Sequence, residues 1–149
     1  MKQVLTFLSI LFCIPFLSAQ EIDHAVVPMA VMDQFQLLYP DAKNIIWYLP
    51  KDEYRVEFKN NKMSTKAILG KQGSVIRTET EIRIIALPPE AIAFIEDEMQ
   101  AKKIDFASIM EDMHGQITFK ALANEDEYCF DANGHFIAVG IQALTQGSK

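Results

Sequence analysis

Cysteine is almost missing from this chain: 149 residues hold two, Cys13 and Cys129. Cys13 lies in an N-terminal apolar run that reads as a leader, so Cys129 would stand alone once that run is removed. An exported chain with one cysteine has no internal disulfide, and its core must carry the stability. Cys129 sits in the strand-like run Tyr128-Cys129-Phe130, and nothing beside it in sequence would lower its pKa, so it reads as a passive thiol. Excess basic charge is also lacking. Lys and Arg number 14 against 20 Asp and Glu, a formal charge of −6. Nucleic acid and anionic lipid both need clustered Lys or Arg, so neither is expected as a partner.

Reactive constellations are scarce as well. Outside the leader the serines are Ser64, Ser74, Ser108 and Ser148, and none lies in a nucleophile-elbow pattern or beside a plausible base. Gly70-Lys71-Gln72-Gly73 is too short for a phosphate loop and reads as a hairpin turn. His24, His114 and His135 are scattered, without paired-ligand spacing. No catalytic residue, metal site or cofactor is expected. The acidic clusters Glu96-Asp97-Glu98, Glu111-Asp112 and Glu125-Asp126-Glu127 offer hard oxygen ligands, and Asp131 and Asn133 before Gly134 resemble the start of a calcium loop. The closing bidentate Glu is missing, however, and Asp-x-Asn-Gly is ordinary turn chemistry, so solvated charge is favoured over calcium.

Long apolar runs are absent apart from one. Lys2 supplies a positive start, Val4 to Leu17 are mostly apolar, and Ser18-Ala19-Gln20 supplies a small-residue cleavage site after Ala19 or Gln20. That run is short for a bilayer span and fits a signal peptide over residues 1–20. Bulky Phe12 before Cys13, with Ile14-Pro15-Phe16 after it, argues against a lipid anchor. Removing the single charge of Lys2 changes −6 to −7. About 130 residues remain, enough for one domain or two small units sharing a core.

What is present is periodicity. Val27, Val31, Phe35 and Leu38 make one apolar stripe, predicting a helix from Val27 to Tyr39 with Pro28 in its first turn and Pro40 ending it. Asn44 to Leu49 reads as a strand, with Ile45, Trp47 and Leu49 facing inward and Tyr48 outward. Glu53 to Lys59 alternates, with Tyr54, Val56 and Phe58 on one face and Arg55, Glu57 and Lys59 on the other. Asn60-Asn61 predicts a hairpin turn. Met63 to Leu69 and Val75 to Ile85 follow as strands, the last carrying Arg77, Glu79, Glu81 and Arg83 on one face.

The pattern then restarts. Ala91, Ile95 and Met99 follow Val31, Phe35 and Tyr39 by sixty residues, while Ile117, Phe119 and Gly134 follow Val56, Phe58 and Gly73 by sixty-one. Strands are expected at Ile104 to Met110, Gln116 to Leu122, Glu127 to Asp131 and Phe136 to Ile141. A shared offset across a helix, strands and a glycine turn predicts an internal repeat. The expected fold is α+β: a tandem repeat of a helix plus a four-stranded antiparallel sheet. The first unit spans 21–86, the second 87–141, and a polar tail 142–149. The two sheets could align edge to edge with both helices on one face.

The series Pro28-x2-Val31-x3-Phe35-x3-Tyr39-Pro40-x-Ala42-x2-Ile45-x-Trp47, followed by Tyr54-x-Val56-x-Phe58, resembles the PepSY-like proteins. The resemblance covers roughly residues 27 to 141. It is good in the first unit and loose in the second, where Met99-Gln100 replaces the Tyr-Pro pair and no tryptophan follows. It implies tandem helix-plus-sheet units similar in fold to beta-lactamase inhibitor protein, and a periplasmic or extracellular location. It implies no catalytic residues, because the motif positions are aromatic and aliphatic.

The open sheet face is therefore the expected working surface. Arg55, Glu57, Lys59, Lys66, Arg77, Glu79, Glu81 and Arg83 should form a mixed-charge lattice there, with Tyr48 as an exposed aromatic. Cross-strand pairing that keeps the sheet soluble is the plainer reading of these charges. The functional reading is a non-enzymatic exported protein-binding module, inhibitor-like or accessory, docking another periplasmic or secreted protein. The alternative is a calcium- or small-ligand-responsive periplasmic protein using its acidic loops.

Overall fold

A computed structural model describes residues 20–50 and 52–140. All of the expected leader but Gln20, and the expected polar tail, lie outside the described residues. The strands are β1 (Glu21–Ile22), β2 (Lys43–Tyr48), β3 (Tyr54–Asn60), β4 (Met63–Leu69), β5 (Val75–Glu81), β6 (Ile104–Asp112), β7 (Ile117–Ala123), β8 (Asp126–Phe130) and β9 (Phe136–Gly140). Two helices interrupt them: α1 (Met29–Leu38) before β2, and α2 (Pro89–Ala93) before β6. Pro28 and Pro88 cap these helices from outside, and α2 runs on as a π turn over Phe94–Glu98.

The strands form a single antiparallel sheet in the order β1 to β9. This corrects the expected tandem of helix-plus-four-strand units. β5 and β6 pair directly, from Arg77↔Asp112 to Glu81↔Ser108, so no boundary divides the sheet. β1 adds a ninth strand that a repeat of four does not contain, pairing Glu21 with Tyr48 and Ile22 with Trp47. Helix is a minor component, the second α-helix being only five residues long. Edge-to-edge pairing wins because two separate four-stranded sheets would leave two more rows of backbone groups unpaired.

Local chemistry moves several element ends. Val75 to Ile85 does not run as one strand. β5 stops at Glu81, and Ile84–Ala86 form a 3-10 turn that leads through extended Leu87 to Pro88 at the start of α2. Asn61 and Lys62 both take positive φ in the β3–β4 hairpin, as do Asn124 and Glu125 between β7 and β8, the geometry of a two-residue primed turn.

Both helices lie on one face of the sheet. Val31, Met32 and Phe35 of α1 pack with Trp47, Val56, Phe58, Ala67 and Leu69. Phe35 meets Trp47 and Phe58 edge-on, with ring centroids 5.2 and 5.0 Å apart. Trp47 is thus the core anchor its inward parity requires. Ala91 and Ile95 pack with Ala107, Ala121, Ala123, Tyr128 and Phe130 in a second cluster, where alanines let the short helix approach the strands closely. The register Ala67↔Thr78, Thr80↔Ile109 and Phe119↔Phe130 places both clusters on the same side.

One glycine turn locks each helix to the sheet. Gly73, at φ +83°, puts the β4–β5 turn against α1, where an added Cβ would stand 2.5 Å from the Ala30 carbonyl oxygen. Gly134, at φ +89°, does the same against α2, 2.7 Å from Pro88 Cβ. Only glycine satisfies both the left-handed backbone and the close approach.

Candidate docking face

Because side chains alternate along a strand, burying Val56, Phe58, Ala67 and Leu69 turns Arg55, Glu57, Lys59, Lys66 and Ile68 to the other side. Cross-strand register carries that face across the sheet. One row runs Ile46, Glu57, Lys66, Glu79, Met110 and Thr118, and another runs Tyr48, Arg55, Ile68, Arg77 and Asp112. Among the described residues, no helix packs on this face.

The expected lattice is present in part. Tyr48 lies under the Arg55 guanidinium, 4.5 Å from its ring centroid, a cation–π contact that holds the arginine flat against the sheet. Glu57 stands 3.9 Å from both Arg55 and Lys66. The Glu81 carboxylate accepts a hydrogen bond from the Ser64 backbone N–H at 3.3 Å. Arg77 lies opposite Asp112 in register and is exposed. Arg83 is not in the lattice: it caps the 3-10 turn beyond β5, exposed and off the strand.

In the densest part of the network, Glu79 is an expected member, and Lys120, Glu127 and Ser108 join it. The Lys120 ammonium donates to Glu79 and reaches Glu127, both at 3.1 Å, and the Ser108 hydroxyl donates to Glu79 at 2.9 Å. The Lys120 and Glu79 side chains are only 16% and 23% exposed, so these contacts are shielded compared with an ordinary surface pair. Burial alone would raise the Glu79 pKa; the charge and hydrogen bond of Lys120, helped by Ser108 and Lys66, outweigh it and hold the carboxyl below its ordinary value. Burial would lower the Lys120 pKa, but Glu79 and then Glu127 outweigh it and hold the ammonium above its ordinary value. Lys120 and Glu127 alternate with buried neighbours in Ile117–Ala123 and Asp126–Phe130, a period-two signal that would have placed both on the outer face.

Apolar residues punctuate the charges. Ile46 and Phe106 are each 38% exposed, and Met110 contributes to a shallow depression of about 240 Å³ also lined by Arg77, Asp112, Gln116 and Thr118. Cys129, half-buried on this face beside Lys120 in register, has its thiol pushed up by burial and then by the Glu127 charge. A raised thiol pKa disfavours the thiolate, consistent with a passive cysteine.

The other sequence candidates do not converge here. His24, His114 and His135 occupy a 3-10 turn and two hairpin turns. Asp131 is engaged within its own turn, one oxygen accepting from the Asn133 and His135 N–H groups and the other 3.2 Å from the His135 ring. No group of three or more His, Cys, Asp or Glu residues suited to a metal ion occurs among the described residues.

Comparison with family models and with curated proteins finds no match, so the PepSY-like resemblance gains no support there. Solved structures do match, and they support a fold like that of beta-lactamase inhibitor protein. A BLIP-like protein from Bacteroides fragilis is 20% identical with a TM-score of 0.65, covering 82% of this chain and 91% of that one. A DUF2874 family protein from Bacteroides uniformis is 18% identical with a TM-score of 0.68, covering 76% of this chain and 88% of that one. A Bacteroides eggerthii protein provisionally described as periplasmic is 16% identical with a TM-score of 0.69, over 76% and 88% of the two chains. Identities this low establish the shared fold alone. No helix among the described residues is long and apolar enough to cross a membrane.

Proposed function

We propose that the chain is an exported, non-enzymatic protein-binding module that docks a periplasmic or secreted protein through the outer face of its sheet, as an inhibitor or an accessory subunit. The supporting observation is the ordered network of Tyr48, Arg55, Glu57, Lys66, Glu79, Lys120 and Glu127 on a face that no helix among the described residues covers. Charges already held in place lose little side-chain freedom when a partner arrives, and they set its orientation and speed its approach. Ile46, Phe106 and Met110 supply apolar contact between them. Export fits the leader-like start, the single remaining cysteine and the periplasmic description of one structural neighbour.

The test is a pull-down from periplasmic extract with the mature chain, followed by affinity measurement on the recovered protein. Reversing Lys66 and Arg77 to glutamate should weaken that complex at least tenfold and flatten its salt dependence. Reversing Arg83, which lies off the face, should leave it unchanged. A complex indifferent to Lys66→Glu/Arg77→Glu sinks the reading.

A further inference from the structure

Among the described residues the last strand is an open edge, guarded against pairing by a bulge alone. β9 hydrogen-bonds to β8 alone among the described residues, so its other row of backbone N–H and C=O groups faces outward. Phe136–Gly140 contains no charged residue and no proline. Ile137 and Val139 are 52% and 51% exposed, and Phe136 is 42% exposed while stacked on Phe94 at 4.6 Å. The opposite edge differs: β1 is two residues long and carries Glu21, and β2 behind it is bulged between Lys43 and Ile46. Natural sheets blunt edges by shortness, charge, proline or bulges. Here one edge is blunted by length and charge, and the other has only a bulge at Ile137, with Ala138 to Gly140 in regular register.

We infer that the chain forms a reversible homodimer by antiparallel pairing of β9 with β9 of a second copy. Three observations select this occupant. An uncharged strand can pair with itself without setting like charges opposite one another, which a charged edge cannot do. The blunted β1 edge is a poor acceptor for β9, so head-to-tail growth is disfavoured and the closed twofold pairing remains. Antiparallel in-plane pairing has its twofold axis perpendicular to the sheet, so each strand keeps its faces. Val139 and Phe136, on the helix side with Tyr128 and Phe130, would therefore meet their counterparts and extend the apolar cluster of Phe94 and Phe130 across the joint. Five residues a side make an interface smaller than a standard one, so the dissociation constant should fall at about 10–100 µM. The dimer also leaves both outer faces open on the same side. It does not depend on the docking reading.

Sedimentation velocity on the mature chain, from about 1 to about 300 µM, should show concentration-dependent dimerisation that persists at roughly 0.5 M salt, where exposed charge contacts are screened. Ile137→Lys and Val139→Lys, made separately, should each abolish the dimer while keeping the wild-type far-ultraviolet spectrum, and Lys66→Glu should not. A chain still monomeric at about 300 µM overturns the inference. So does a dimer that survives either lysine variant in its folded form, or one dispersed by salt.

Discussion

Replacing Gly73 by alanine tests whether the helices are locked to the sheet by close backbone approach or merely rest on it through side chains. Gly73 has φ +83°, a conformation that costs an L side chain about 1–2 kcal/mol. A Cβ there would also stand 2.5 Å from the Ala30 carbonyl oxygen and 3.0 Å from Gln34 Cβ. The first of these is backbone, which cannot rotate aside, so α1 must shift off Trp47 and Val56 at a further cost of about 1–3 kcal/mol. Gly115 is the internal control, with φ +75° and nothing within 4 Å of an added Cβ. Gly115→Ala should thus show the backbone term alone, about 1–2 kcal/mol. For a domain of this size each kcal/mol moves the melting temperature by about 4 °C. Thermal melts should place Gly73→Ala roughly 8–20 °C below wild type and Gly115→Ala roughly 4–8 °C below. Gly134→Ala, facing Pro88 Cβ at 2.7 Å and Ala91 N at 3.0 Å, should follow Gly73→Ala. Equal losses at Gly73 and Gly115 would refute the locked-turn account.

Phe35→Ala should cost about 3–5 kcal/mol in urea titration, because Phe35 is 1% exposed and removes contact with both Trp47 and Phe58. The Glu79 carboxyl is held below its ordinary value of 4.5, so its contribution to stability is complete above that pH and is lost as pH falls through the lower folded value. Lys120 is held above 10.5, so its contribution is complete below that value and is lost as pH rises through the higher folded one. Glu79→Gln should therefore flatten the acid limb of stability against pH and leave the alkaline limb less changed; an unaltered acid limb contradicts the assignment. Millimolar calcium should leave the melting temperature within about 1 °C of the calcium-free value, since a ligand bound only by the folded state must raise it; a larger rise revives the acidic-loop alternative.

Much of the local structure was legible because its signals are short-range. Alternation in Tyr54–Lys59 announced which face of β3 is buried, and the spacing of Val31 and Phe35 announced the packed stripe of α1. Edge-to-edge alignment of the two sheets could be raised from the repeat but not decided. Arg77 and Asp112 lie on strands separated by α2, and no residue pattern in either reveals that they pair. The sixty-residue offset points to two units, but whether two edges meet depends on backbone geometry across the whole fold. The outward parity of Lys120 was legible, but its contact was not: its partner Glu79 is 41 residues away, so nothing near either residue advertises the pair. Arg83 failed differently. Its parity was right for the outer face, but β5 ends at Glu81 and the 3-10 turn over Ile84–Ala86 takes the chain off the strand before that parity can matter.

Solubility and docking make opposite demands on the central charges, and burial separates them. Charges that only keep a sheet soluble work best fully hydrated, where a pair contributes about 0–1 kcal/mol and needs no fixed geometry. Lys120 and Glu79 are instead drawn into the face, 16% and 23% exposed. Removing them from water costs free energy that their attraction only about offsets, so an apolar pair of similar volume should serve stability equally well. Replacing both at once, Glu79→Met with Lys120→Met, should therefore leave unfolding free energy within about 1 kcal/mol of wild type, whereas Lys120→Met alone should cost about 1.5–3 kcal/mol by leaving Glu79 and Glu127 without their cation. If the double replacement keeps its stability yet loses the partner recovered by the wild-type face, the network exists to fix the geometry of docking. A double replacement that loses more than about 3 kcal/mol would assign the network to holding β5, β6 and β7 together, and the docking reading would then lose its main support.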